Sequence, residues 1–343
     1  MADQKPNDSR GVSRCGGGYE IVSDVAVIRE WTELHGSHSL AVLLELNAGE
    51  LLVVKNTGAM GFFRWGKGVI AVGGALTAST DHMPTVAAFL AWCEQQKLTA
   101  RFVHFPPATA QALAQLGFKL DQLGASYSLS FKGGTLPGKG YQQVRRKLNK
   151  AVREGVTVER ISNYDQYLSL RPTLQEINTQ WLRQKGTKHI SLLVSDFERI
   201  QPNDDTWIYT AWHRGEVIAY LVFSRTRGEG AGWFHNLSRR KVGCVDGTMQ
   251  LIVSTFMTDA GEGLLHFGFT PLVDLKAPEY PHSGVARWIA NHLSRLGGVV
   301  YPARSQRQYK ISWCPDQICP EYFSYRGNTL ISMLWLLRAT NSI

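Results

Sequence analysis

Gly133–Gly134, followed closely by Pro137–Gly138, is the strongest break in the chain. Glycine leaves the backbone loose and proline removes a donor, so such a cluster resists both helix and strand. The break falls well inside a sequence of 343 residues. At roughly 100–200 residues per domain, that length suits two domains, one on either side. Whatever the fold is, it has to be read as two halves.

The halves show the same order of signals. Before the break, a helix over residues 25–35 and a turn at 36–39 lead into strand-like runs over 40–46, 51–55, 62–65 and 69–72. Gly, Asn or Lys bounds each run, which is the spacing of an antiparallel meander. A helix over 85–97 follows, with Val86, Phe89, Leu90 and Cys93 on one face. A strand over 100–104, a helix over 108–116 stopped by Gly117, and a strand over 127–131 complete the half. After the break come a helix over 139–154, a strand over 156–161 and a helix over 164–183. Strands over 207–212, 217–224 and 231–237 are separated by turns at 214–215 and 227–230. A helix over 247–260, a short buried strand over 264–267, and helices over 285–296 and 329–338 end the series. Meander, helix, strand recurs without any repeat in sequence. This order predicts an α+β chain with two similar sandwiches side by side.

Charge narrows the function classes. Lys plus Arg number 37 against 28 Asp plus Glu, a net charge of +9, which favours an anionic partner such as nucleic acid, phosphate or an acidic membrane surface. No apolar run reaches the ~18–20 residues needed to cross a bilayer as a helix. Residues 1–18 are polar and lack the apolar core of a signal peptide, so a mobile tail and a cytoplasmic location are expected. The 5 cysteines are odd in number and scattered, and Cys314 and Cys319 are too far apart for a CxxC pair. Neither a disulfide framework nor structural zinc is expected. His35 and His38 lack a third ligand at useful spacing, and His35 reads as a helix C-cap. Asp196, Asp204 and Asp205 read as solvated. His189, His213, His235, His266 and His282 could include a base, but spacing selects none. No GxSxG, P-loop or HExxH is present.

The helix over 139–154 is the clearest physical signal. At 100° per residue, Tyr141, Val144, Leu148 and Ala151 form one stripe. Lys139, Arg146, Lys150 and Arg153 lie opposite, flanked by Arg145 and Lys147, with Glu154 as the one acid. Solvated faces normally mix Lys with Glu. A row of cations ~5–6 Å apart suits a phosphate backbone, and a plain solvated face is the competing reading.

Downstream, Ser238–Arg239–Arg240–Lys241 leads through Gly243 to Gly247 at a helix start, where backbone N–H groups can hold a phosphate. Transferases that use acetyl-CoA place their pyrophosphate loop at this point, although a simple strand–turn–helix explains the same residues. Gly268–Phe269–Thr270–Pro271–Leu272 reads as a turn after a buried strand. Arg304, Arg307 and Lys310 form a basic cluster amid Tyr301, Tyr309, Trp313, Tyr322 and Tyr325, which could stack on a base or pack at a core edge.

Taken in order, these segments resemble the catalytic region of lysylphosphatidylglycerol synthase, the multiple peptide resistance factor family, from about Ile28 to Arg338. Arg145, Asn149, Glu154 and Gly155 stand in that family's basic R-x-x-x-N-x-x-x-x-E-G helix, and Trp181–Leu182 matches its W-L. Its D-L-M-R-R and following G-x-M look like Asn236–Leu237–Ser238–Arg239–Arg240 and Gly247–Thr248–Met249. Its L-G-M-A-P-L resembles Phe267 to Leu272. Its F-K-x-x-F is similar to Tyr309–Lys310–Ile311–Ser312–Trp313, and its P-x-W-x-x-R-Y to Pro315 through Tyr322.

The resemblance implies two tandem GNAT-like domains with mixed, mostly antiparallel sheets flanked by helices. The expected divisions are a tail over 1–18, a first domain over 19–136, the basic connecting helix over 137–155 and a catalytic domain over 156–343. It implies transfer of an aminoacyl group from charged tRNA to the amine or hydroxyl of a small molecule or of a phospholipid such as phosphatidylglycerol. Aminoacyl-tRNA is then the co-substrate, with no cofactor and no metal. Lys139, Arg145, Arg146, Lys150 and Arg153 would face tRNA. Arg239 and Arg240, with N–H groups near Gly247, would grip the terminal adenosine or the acceptor phosphate. Lys310 would neutralise the acceptor or the developing oxyanion, with Asn236 in the catalytic set and Gly268, Pro271, Arg307 and Tyr309 binding substrate. Lipid-modifying members carry a large membrane domain before this region, so a flippase function is not expected here, and membrane contact would be peripheral, at the inner face. Asn236 and Gln250 replace two acids of the family, which favours an amine acceptor, since a hydroxyl benefits more from a nearby base. An acyl-CoA-dependent GNAT N-acyltransferase and an inactive tRNA-binding module are the alternatives.

Overall fold

The computed structural model describes residues 12–15, 18–185, 194–295 and 303–341. His189 and Tyr301 lie outside them. The first half runs β1 (Val12–Cys15), β2 (Tyr19–Val22), α1 (Val25–His35), α2 (Val42–Leu46), β3 (Glu50–Val54), β4 (Gly58–Trp65) and β5 (Gly68–Leu76). It ends with α3 (Met83–Gln95), β6 (Thr99–Val103), α4 (Pro107–Gln115) and β7 (Lys119–Lys132). The second half runs α5 (Gln142–Arg153), β8 (Thr157–Arg160), α6 (Tyr164–Lys185), β9 (Thr206–His213), β10 (Glu216–Thr226) and β11 (Gly232–Arg240). It closes with α7 (Thr248–Ala260), β12 (Glu262–Pro271), α8 (Gly284–Arg295), α9 (Ala303–Ile311), β13 (Gln317–Tyr325) and α10 (Thr329–Ala339).

The halves stand in tandem, and the order of their elements is the same. An antiparallel meander (β2 to β5, or β8 to β11) passes through a helix to a strand that returns parallel to the last one. β6 lies parallel to β5, and β12 parallel to β11. The final strand of each half then crosses to the other: β13 pairs with β6, β7 pairs with β12, and β7 and β13 pair with each other. The two similar halves lie side by side as expected, but they do not keep a sheet each. Exchange of the last strands fuses both halves into one 13-stranded sheet, ordered β1-β2-β3-β4-β5-β6-β13-β7-β12-β11-β10-β9-β8. Helices cover this mixed sheet, and a core such as Phe223 stacked on Phe256 beneath α7 packs each layer.

Several local expectations also change. Residues 40–46, expected as a strand, form a 3-10 turn (Ser39–Ala41) and α2, with Leu43 and Leu44 fully buried. A short run that is apolar but for Glu45 cannot be told from a buried strand by periodicity, and the His38 imidazole, accepting from the Leu40 N–H at 3.2 Å, starts the turn. Val12–Cys15, inside the expected tail, pairs with β2 as an edge strand. Gly36, not His35, caps α1, and the His35 ring packs on Trp31. Gly268 to Pro271, expected as a turn, continues β12 through a bulge. α9 and β13 were not legible as elements at all. Among the described residues no helix is long and apolar enough to cross a membrane, and no cluster of three His, Cys, Asp or Glu could hold a metal ion.

Candidate active site

Where β11 and β12 leave their short parallel contact, at Phe234 and His266, β12 bulges between His266 and Gly268. Gly268 adopts φ 70°, and a Cβ there would come within 2.6 Å of the Phe234 ring, so glycine is required on both counts. The bulge sets two successive carbonyls within reach of one amine. Lys310, in the last turn of α9, donates to the Gly268 oxygen at 2.7 Å and to the Phe269 oxygen at 3.0 Å. Its ammonium lies 5.5 Å from the centre of the Tyr127 ring. Burial pushes the Lys310 pKa down to about 7, against the opposing pull of Glu321.

The His235 imidazole packs beside Phe267 and Tyr309, and its Nε2 is shielded with no hydrogen-bond partner among the described residues. Burial, then the nearby Lys310 charge, pushes its pKa down to about 3, so it is neutral. Thr270 Oγ1, two residues beyond the bulge, is buried and also lacks a partner among the described residues. Buried polar atoms without partners beside a buried amine are the mark of a site that meets a polar ligand. A cavity of about 720 Å³ opens one turn back along α9, walled by Leu272, Asp274, Asn291, Ser294, Arg304 and Arg307. There Arg307 forks onto the Asp274 carboxylate at 2.7–2.9 Å, and the Tyr127 hydroxyl donates to the same carboxylate. Burial opposes the Asp274 charge, but these partners hold its pKa below the usual range.

The remaining residues picked out from sequence are spread around this centre. Pro271 ends β12, and Tyr309 packs between His235 and Trp313. Asn236 donates its amide to Ser224 Oγ at 3.0 Å. Arg240 is exposed. Arg239 is buried: its Nε donates to Asn178 at 2.7 Å and its guanidinium lies 4.2 Å from the Trp181 ring centre, so it joins α6 to β11 instead of facing solvent. Gly247, at φ 95°, faces α5, where an added Cβ would come within 1.9 Å of the Lys147 carbonyl oxygen. The start of α7 is thus covered by α5 at this point.

On α5, Val144 and Ala151 are buried, while Arg146, Lys147, Lys150 and Arg153 are exposed. Lys139 is exposed just before the helix. Arg145 differs from its neighbours, since its guanidinium donates to the Leu136 and Gly138 carbonyls and ties down the loop before the helix. Opposing carboxylates are few and loose: Asp246 lies 3.4 Å from Lys147 and Glu154 lies 3.9 Å from Lys150, both pairs about half exposed. The ridge keeps its positive field.

A second buried cluster escaped the sequence reading. Glu321 on β13 accepts from His104 at 2.8 Å, from His38 at 3.2 Å and from the Ser126 hydroxyl. Nearby, His266 bonds Ser128 and the Gly230 carbonyl, and burial pushes its pKa down to about 4. The Glu321 partners come from three parts of the chain, joined only by the strand exchange, so no spacing rule could have found them.

A family model described as phosphatidylglycerol lysyltransferase, C-terminal, matches residues 29–325. No curated protein matches the chain at a significant level. Among solved structures, the C-terminal domain of a putative lysylphosphatidylglycerol synthetase from Agrobacterium fabrum superposes with a TM-score of 0.72 at 15% identity, covering 93% of this chain and 99% of that one. L-PGS from Bacillus licheniformis gives 0.70 at 17% identity, covering 93% and 98%. A conserved protein of unknown function from Bacteroides thetaiotaomicron gives 0.59 at 12% identity, covering 89% and 98%. At these identities the superpositions speak for the fold alone.

Proposed function

Because the chain belongs to the phosphatidylglycerol lysyltransferase C-terminal family, a transferase family, we propose that it moves an amino acid from a charged tRNA to an acceptor hydroxyl, that of a phosphatidylglycerol headgroup. The observation that carries this reading is Lys310: a buried amine on two strand carbonyls, beside partnerless polar atoms and next to a cavity large enough for a headgroup. The aminoacyl ester is already activated, so positioning and charge stabilisation supply the catalysis. The acceptor oxygen attacks the ester carbonyl carbon, the carbonyl oxygen gains negative charge, and the bond to the tRNA ribose oxygen then breaks. The acceptor proton ends on that ribose oxygen. The Lys310 ammonium is placed to stabilise the transient oxyanion. Arg146, Lys150 and Arg153 on α5, with Lys139, provide cations for the tRNA backbone.

The close approach of the Lys147 carbonyl to Gly247 favours tRNA over acyl-CoA as donor, because it narrows the helix start where a CoA pyrophosphate would bind. An amine acceptor is the second reading. It is favoured by Asn236, whose amide nitrogen is spent on Ser224 where the family pattern has an acid. The deciding experiment supplies purified protein with charged tRNA and offers phosphatidylglycerol or cell-extract amines, with and without ribonuclease. Ribonuclease-sensitive labelled lipid is the expected product. Labelled amide alone moves the assignment to the second reading, and ribonuclease-resistant transfer in a parallel arm that offers acyl-CoA in place of charged tRNA ends both.

A further inference from the structure

α10 is inside out for a surface helix. Its buried positions are Thr329, Ser332, Leu336 and Ala339, while Leu330, Ile331, Leu334 and Leu337 stand 41–64% exposed. At 100° per residue these four fall within one sector of the helix, shared only with Arg338. Single exposed aliphatics are ordinary, but a contiguous stripe marks a surface that meets something apolar. Elements that touch α10 also expose apolar side chains. Trp65, at the tip of the β4–β5 hairpin, is 38% exposed and packs edge-on against Trp335 of α10. α8, which packs on α10, exposes Val285 at 53% and Trp288 at 66%.

Charge selects the occupant. Neither α8 nor α10 contains an Asp or Glu, whereas Arg287, Arg338 and Arg326, just before α10, are exposed. Under α10, Arg101 is buried 4.2 Å from the Trp335 ring centre, with two guanidinium nitrogens lacking a partner among the described residues. Leucines and tryptophans with arginines and no carboxylates are the composition of an interfacial helix on an anionic bilayer. A protein partner of this chain's own kind would bring the same positive charge to the contact. We propose that α10, with α8 and the Trp65 hairpin tip, is the face by which this protein lies on an anionic lipid surface. Asn291 and Ser294 of α8 also wall the cavity beside Lys310. Binding through this face therefore sets a membrane against the wall of the cavity assigned to the headgroup, a functional link that rests on the transfer reading, whereas the docking face itself does not.

The test is flotation of the full chain with vesicles of phosphatidylcholine alone or mixed with phosphatidylglycerol, without tRNA, so that binding is read apart from transfer. The expected result is retention on mixed vesicles about tenfold above phosphatidylcholine alone, weakening with salt. The Ile331→Ser/Leu334→Ser variant should lose about tenfold of that binding with an unchanged melting curve, since both side chains are exposed. Equal retention on both vesicle types, or undiminished binding by the variant, overturns the proposal. A wild-type dimer that the variant converts to monomer, with vesicle binding unaffected, also overturns it and gives the face to a second copy.

Discussion

Glu321 and His104 belong to opposite halves of the chain and meet at 2.8 Å inside the sheet, because β13 has crossed to lie against β6. With His38 and the Ser126 hydroxyl also donating, the carboxylate joins the 3-10 turn after α1, the end of β6 and both exchanged strands.

Removing it leaves the buried His104 imidazole, and the partly buried His38 imidazole and Ser126 hydroxyl, without their acceptor. Glu321→Ala is expected to cost roughly 3–5 kcal/mol in denaturant unfolding, the range for breaking a buried pair from one side. The pH dependence has a definite sign. Burial opposes the Glu321 charge, but the imidazoles hold its folded pKa well below the unfolded carboxyl value of about 4.3. Its contribution is therefore complete above that value and is lost as pH falls toward the folded pKa. Unfolding curves for Glu321→Gln should have a shallower acid limb than wild type. An identical limb would assign acid sensitivity elsewhere.

This pairing also shows where sequence reading stops. The strands β3 to β5 and β8 to β11 were legible from the turn residues that bound them, and α5 from the period of its own side chains. β13 was not, since Cys319–Pro320–Glu321 sits in it and a proline beside a charged residue reads as a break, yet Pro320 pairs with Ala125 in the ladder. His104 and Glu321 are 217 positions apart, and only the exchange joins them. Lys310 stood out in a basic cluster with Arg304 and Arg307, and its role came from family resemblance. Its chemistry depends on a bulge in β12, and from sequence the bulge looked like a turn.

Lys310 predicts a separation of stability from activity. Its folded pKa, pushed down to about 7 by burial, lies below the unfolded lysine value of about 10.4. The cost of burying the charge is full below pH 7 and fades as pH rises from there toward 10. Lys310→Met should therefore unfold at an equal or higher temperature than wild type near pH 7, with the gap closing in alkali. Its transfer rate should fall by roughly 10²–10³, the usual loss for one oxyanion donor. In wild type the rate should decline above pH 7 as the ammonium deprotonates. A variant with normal turnover removes Lys310 from the reaction.

Arg239 predicts the reverse coupling. Its guanidinium is buried between Asn178 and the Trp181 ring, so Arg239→Ala should lose stability as well as activity. Roughly 2–3 kcal/mol is expected, from a charge-assisted hydrogen bond and a shielded cation–π contact. Thermal unfolding checks it. Lost transfer with an unshifted melting temperature would mean that Arg239 reaches substrate directly.

The cations of α5 divide into two kinds, and substitution should separate them. Arg146 and Arg153 are exposed and without a carboxylate within 4 Å among the described residues, and Lys150 has only the loose Glu154 contact. Arg146→Glu and Lys150→Glu should weaken tRNA binding and lower the slope of log K against log salt by about one for each phosphate that is no longer neutralised. Neither should shift the melting temperature beyond about 0.5 kcal/mol equivalent, because surface pairs contribute little. Arg145 answers differently. Held by the Leu136 and Gly138 carbonyls, it anchors the loop that enters α5, so Arg145→Ala should destabilise the chain while leaving the salt slope close to wild type. Filter binding across a salt series, run beside melting curves for the three variants, reads both effects. If Arg145→Ala changes the slope as much as Arg146→Glu does, the loop anchor also neutralises a phosphate; if none of the three changes it, the ridge does not bind tRNA.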